Sequence, residues 1–262
     1  MMKNIVVTEL EQVAYVKLHR PEVRNAFNPE MIAELTQVFQ DFNSRSDLRV
    51  VVLQGEGKVF SAGGDLNWMK EMVNYTREEN LKDSEKLFNM FVAISECLVP
   101  VVAVIHGACY GGGLGLISCC DYVIAEEGTQ FCFSEVKIGI SPAVISSFVL
   151  RKANMGHCRP YMLTAQIFST HEAFHMGLVH ETQPQGKGHH QLQSLITQIK
   201  SCAPGSVRET KKLLAEMSYP SYQEFKTRTA ELIAMRRVSP EGQEGLKSFL
   251  NKTKPSWSGG NA

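Results

Sequence analysis

The sequence predicts an α/β fold with a mostly parallel sheet, on three observations. Short apolar runs alternate with helical stretches, two of those runs end in glycine-rich loops, and from about Leu192 onward the chain becomes helical and charged. With 262 residues, 44% of them apolar, the chain is long enough to bury a substantial core.

VAYVKL (Val13–Leu18) alternates apolar and polar residues as a half-buried strand does, and HRPEVRNAFN after it reads as turn and loop. Asn28 followed by Pro29 is a helix start, a cap and then a first-turn proline. Met31, Ile32, Leu35, Val38, Phe39 and Phe42 then share one helical face. VVVLQGEG (50–57) suits a strand buried on both sides. The pattern repeats with a helix over about 78–97, a strand over 100–107, a glycine turn and helix, and a strand over 121–127. The boundary is set at 191/192: a strand-and-helix core over 1–191, then helices over 192–262 built from LITQIKSCAP, SVRETKKLLAEM and FKTRTAELIAMRR. The tail SWSGGNA is expected to lack structure.

The charge balance, 27 basic against 27 acidic residues with no dense Lys/Arg block, argues against a nucleic-acid partner. Seven cysteines without a CxxC read as reduced thiols of a cytoplasmic protein. No apolar run reaches the ~18 residues of a membrane span, so no membrane is expected. The eight histidines show no HExxH spacing and no metal is expected; His171 and His175, i and i+4, read as a solvated face.

KVFSAGGDLNWM and HGACYGGGLGL each follow a buried strand, at the sheet edge where α/β proteins bind ligands. Glycine lets backbone N–H groups approach a ligand closely, and at a helix N-terminus those groups are unpaired. Two such loops can aim two N–H groups at one oxygen, the design of an oxyanion hole. Neither loop has the GxGxxG or GxxxxGK[ST] spacing of a nucleotide site. Asp65, after AGG, reads as the cap of the helix LNWMKEMV rather than as a catalytic acid.

Six segments in order, HRPEVRNAFN, VFSAGGDLNWM, HGACYGGGLGL with CCD, FSEVKIGI, HEAFHMGLVHE and SPEGQEGLKSFLNKTKPSW, resemble the crotonase (enoyl-CoA hydratase/isomerase) superfamily. FSAGGDLNWM and SEVKIGISPAVISSFVLR look most like methylglutaconyl-CoA hydratases of bacteria. The resemblance implies a spiral of ββα units with a C-terminal helical region that builds trimers, commonly paired into hexamers. It also implies an acyl-CoA thioester as substrate, with no separate cofactor.

By the same resemblance the N–H groups of Gly64 and Gly112 hold the thioester oxygen as an enolate forms, and Glu135 is the catalytic carboxyl. A second carboxylate common in the family would stand at Gly115, where this chain has none. Arg24, the Ala62 carbonyl and Lys252, the last toward a phosphate of a neighbouring subunit's ligand, are implied for CoA. Trp68, Met69, Phe133 and Val144 are implied for the acyl pocket, with a core role as the alternative for Trp68 and Met69. Val144 and Ile145 are bulkier than the usual glycine-rich stretch after the glutamate. If the substrate ends in a second carboxylate, Lys137 and Arg151 are the positive groups closest in sequence. One carboxyl allows hydration of an enoyl-CoA, double-bond isomerisation as its rival, and a non-catalytic acyl-CoA- or RNA-binding relative as a third reading.

Overall fold

The apolar runs become strands of one sheet because each can bury both faces between helical layers. The computed structural model describes residues 2–216 and 222–258. Its strands are β1 (Ile5–Leu10), β2 (Val13–Leu18), β3 (Val50–Gly55), β4 (Val101–Ile105), β5 (Ala108–Tyr110), β6 (Tyr122–Glu126), β7 (Gln130–Cys132) and β8 (Glu181–Gln183). The main sheet runs β1-β2-β3-β4-β6-β8, parallel except for the antiparallel β1–β2 hairpin. β5 and β7 pair separately, in parallel. Strands β4 and β5 followed by a helix form one ββα unit, and β6 and β7 begin the next.

The helices are α1 (Pro29–Phe42), α2 (Leu66–Met72), α3 (Arg77–Ser95), α4 (Gly112–Cys119), α5 (Ala143–Lys152), α6 (Met155–Thr164) and α7 (Thr170–Met176). Helices α8 (Gly188–Ser201), α9 (Pro204–Glu216), α10 (Tyr222–Val238) and α11 (Pro240–Asn251) complete the chain. Alternation along β4 shows how the sheet divides the core. Val101, Ala103 and Ile105 face the larger cluster with α1, α3, α4 and α5, while Val102 and Val104 meet Leu192 and Ile196 of α8 on the other side. Asn28 Oδ1 accepts from Met31 N at 2.9 Å, and the apolar face expected for α1 is the buried one. Among the described residues no helix is long and apolar enough to cross a membrane.

Three local features differ from the sequence reading. The segment before Val13 is a strand, β1, turned by Glu11 and Gln12 at φ 49° and 70° without the glycine or asparagine that usually marks such a turn. The stretch read as a glycine turn after β4 begins with β5, whose partner β7 lies about twenty residues on, so its pairing has no local signature. In the tail, Ser256–Ser258 forms a 3₁₀ turn, and residues 259–262 lie outside those described.

The loop HRPEVRNAFN is held in place by Asn25, which ties it to itself and to the segment after β3. Asn25 is fully buried with φ 53°; its Nδ2 donates to the carbonyls of Glu56 and Val59, and its Oδ1 accepts from Arg20 N at 2.9 Å. Asn25→Ala strands those three groups and is expected to lower stability by about 2–4 kcal/mol in denaturant unfolding, given ~1–3 kcal/mol for each polar group left unpaired.

Candidate active site

The two glycine loops meet across Phe27. Phe27 N donates to Gly63 O at 2.7 Å and Asp65 N donates to Phe27 O at 2.8 Å, a parallel bridge that skips Gly64. In a trans peptide the C=O and N–H point in opposite directions, so tying Gly63 O to Phe27 turns Gly64 N–H away from it. In the second loop Leu114 N donates to Gly111 O at 2.9 Å, which turns Gly112 N–H out of the start of α4. Among the described residues neither N–H has a hydrogen-bond partner. The residue before α4, Gly111, offers no side-chain cap, whereas α1, α2, α3 and α7 are capped by side chains.

The loops are in contact. A Cβ added at Gly63, which has φ 92°, would lie 3.1 Å from Tyr110 O, and one at Gly111 would lie 3.8 Å from Gly63 Cα. That same Gly111 Cβ would lie 3.4 Å from Glu135 Oε1, so the carboxyl stands beside the glycine pair. Glu135 opens a 3₁₀ turn, Glu135–Ile138, closed by left-handed Gly139. Its Oε2 is buried without a hydrogen-bond partner. Burial raises its pKa above the ordinary glutamate value, against a smaller lowering by a backbone N–H.

Gly115 opens into no free space. A Cβ there would fall 2.6 Å from Phe91 Cζ and 2.7 Å from Ile145 Cγ2, so α3 and α5 fill the volume a second carboxyl would need. Gly112 is as tightly covered, its added Cβ falling 2.6 Å from the Phe27 ring, which is 1% exposed. At Gly64 the obstruction is the mobile end of Met69, Cε at 2.8 Å.

Arg24 and Ala62 come together, with Ala62 N donating to Arg24 O at 3.0 Å. Both line a cleft of about 760 Å³ with Lys58, Tyr110 and Gln130. Ala62 and Tyr110 each precede a glycine loop, so the cleft leads to the glycine pair. The Ala62 carbonyl accepts no hydrogen bond among the described residues. Lys252 ends α11 in a left-handed conformation and is not part of the cleft wall in this chain. Trp68 is buried in α2, while Met69 and Val144 are half-buried. Phe133 is fully buried and stacks on Phe168 at 5.7 Å, within the core. Lys137 and Arg151 are exposed. Asp65 Oδ1 accepts from Asn67 N at 2.7 Å, the expected cap. His171 and His175 are exposed, their Nε2 atoms 3.0 Å apart.

Sequence reasoning missed Arg20, Asn25 and Phe27, which shape the first loop, and Phe91, which closes the space at Gly115. A polar pair inside HRPEVRNAFN that ends up buried was the only available signal; Phe91 gave none beyond its helical face.

The profile of the enoyl-CoA hydratase/isomerase family matches residues 8–260. The chain belongs to that family. A Thermus thermophilus protein provisionally named an enoyl-CoA hydratase is 33% identical over 251 residues, 96% of this chain and 99% of that one. The crystal structure of an enoyl-CoA hydratase from Shewanella pealeana matches with TM-score 0.93 and 36% identity, over 98% of this chain and 96% of that one. The trans-2-decenoyl-acyl-carrier-protein isomerase of Streptococcus mutans is 25% identical over 98% of both chains. This chain is therefore a crotonase-family enzyme with the α/β fold of its solved relatives.

Two outcomes follow from the packing and the charge. Gly115→Ala is expected to cost roughly 1–3 kcal/mol in denaturant unfolding, as overpacking of a closed core does, with Gly64→Ala milder because only a methionine methyl must move. Glu135 holds its proton to higher pH in the folded than in the unfolded chain, so stability falls as pH rises through that window. Glu135→Gln removes this penalty: its Tm relative to wild type should improve as pH rises from below the ordinary glutamate pKa to above it, as calorimetry across pH can show.

Proposed function

We propose that this protein is an enoyl-CoA hydratase that adds water across the 2,3 double bond of an acyl-CoA thioester. The observation that carries the reading is the pairing of two unpartnered backbone N–H groups, Gly64 and Gly112, with one half-buried carboxyl of raised pKa, Glu135, beside them. Glu135 takes a proton from a water as its oxygen attacks Cβ. The double-bond electrons move through Cα onto the thioester oxygen, where the two N–H groups hold the enolate charge. Glu135 then returns the proton to Cα, so one carboxyl serves as base and acid in turn. No cofactor takes part in this reading. The names of the Thermus and Shewanella relatives support hydration.

Arg24 and the Ala62 carbonyl would hold CoA in the cleft, and Lys252 would meet a phosphate of the CoA bound to a neighbouring subunit. Trp68, Met69 and Val144 would border the acyl chain, with Phe133 behind them. 3-Methylglutaconyl-CoA is the substrate the sequence resemblance favours. Assembly as a homotrimer or homohexamer in the cytoplasm fits this reading, and the apolar side chains exposed on the C-terminal helices, Phe249 at 81% and Leu250 at 75%, support it.

A second reading is favoured by Gly115, because one carboxyl can also move a double bond. Glu135 would take a proton from Cα of a 3-enoyl-CoA and return it two carbons away.

The test is a spectroscopic assay with 2-enoyl-, 3-enoyl- and 3-methylglutaconyl-CoA. Hydration predicts loss of the enoyl-thioester absorbance from the 2-enoyl substrates; its appearance from the 3-enoyl substrate alone would replace hydratase with isomerase. Glu135→Gln should abolish turnover. Gly112→Val should lower kcat by roughly 10²–10³-fold, the usual cost of losing an oxyanion donor.

A further inference from the structure

Beside the reacting centre lies a buried ion pair that no step above uses. Arg20 Nη2 stands 2.8 Å from Asp65 Oδ2, the two side chains 16% and 5% exposed. Arg20 Nη1 donates to Ala26 O at 2.6 Å. The guanidinium thus grips one residue beside Phe27 and one beside Gly64, the two short chain segments whose bridge aims the Gly64 N–H. Arg20 is itself fixed, since its backbone N–H donates to Asn25 Oδ1 at 2.9 Å and Ser61 Oγ donates to Asn25 O at 3.0 Å.

We propose that Arg20, acting through Asp65, is a positioning residue that holds the Gly63–Gly64 peptide in the orientation that binds the thioester oxygen. This rests on the reading of Gly64 as an oxyanion donor. A planar guanidinium can donate a hydrogen bond to one segment with one nitrogen while its other nitrogen pairs in charge with a second segment, which a point charge cannot do as readily. The contact with Asp65 Oδ2 is an ion pair without well-aligned hydrogen-bond geometry, but it is largely shielded from water, so breaking it leaves an unpaired charge in a closed site. Asp65 is shaped for the part. Burial alone would raise its pKa, and the Asn67 N–H and Arg20 outweigh that, so it stays ionised. Its second oxygen anchors the start of α2, which carries Trp68 and Met69. The ion pair therefore sets the loop and the following helix together, and its effect should appear in turnover more than in CoA binding, because Arg24 and Ala62 lie in a different cleft from Arg20 and Asp65.

The test uses the full chain and Arg20→Gln, Arg20→Lys, Asp65→Asn and the Arg20→Gln/Asp65→Asn double variant. Asp65→Asn keeps a capping side chain and guards against an Arg20 variant that does not fold. The expected result is a roughly 10- to 100-fold fall in kcat for Arg20→Gln and for Asp65→Asn, the scale of an ångström's misplacement, with KM within about twofold. Arg20→Lys should recover part of the loss, and the double variant should be no worse than the poorer single one. Unchanged kcat in Asp65→Asn, a loss carried by KM, or single effects that multiply would overturn the proposal. Crystal structures of the unliganded variants separate it from the reading beneath it. Lost turnover with an unmoved Gly63–Gly64 peptide counts against the positioning role, whereas a rotated peptide with wild-type turnover counts against Gly64 as an oxyanion donor.

Discussion

Whatever binds the carbonyl of a trans peptide also aims its N–H, because the two point in opposite directions. The site is built on that constraint twice. Phe27 takes the carbonyl of Gly63, and the first turn of α4 takes the carbonyl of Gly111, so the N–H groups of Gly64 and Gly112 are directed without any bond of their own. Phe27 joins the two halves: its backbone pairs with the first loop while its ring occupies the space over Gly112 in the second. Glycine at 112 is required because that ring leaves no room for a Cβ.

Preorganised N–H groups in a buried setting are strong because nothing must reorient when charge arrives. The same seclusion acts on Glu135. With one oxygen buried and unpaired, desolvation disfavours its charged form, which makes the carboxyl a better acid donor near neutrality than an exposed glutamate. The absence of a second carboxyl at Gly115 is structural as well as chemical. Phe91 and Ile145 close that volume, so packing occupies the place a second acid would need, and in the proposed reaction Glu135 carries both proton transfers.

Much of this was legible in the sequence because its determinants are local. The Asn28 and Asp65 caps, the apolar face of α1 and the two glycine loops each depend on residues within one turn or one strand of each other. The six ordered segments identified the family, and the matching profile bears that out. What was not legible depends on distant partners. β5 takes its identity from β7, and β1 is an edge strand, mostly exposed, turned by residues with no turn preference. Arg20 looks like a loop charge until the fold brings Asp65, forty-five positions away, against it. Whether Gly115 leaves a cavity or a closed core was invisible for the same reason, since Phe91 and Ile145 come from two other helices.

The central claim is that Gly64 and Gly112 bind one thioester oxygen beside Glu135. A crystal structure with a bound acyl-CoA tests it most directly. The account predicts that oxygen within about 2.7–3.1 Å of both backbone nitrogens, with the acyl Cα and Cβ facing the Glu135 carboxyl. A thioester oxygen bound elsewhere, with both N–H groups left to water and the acyl chain turned from Glu135, would contradict it.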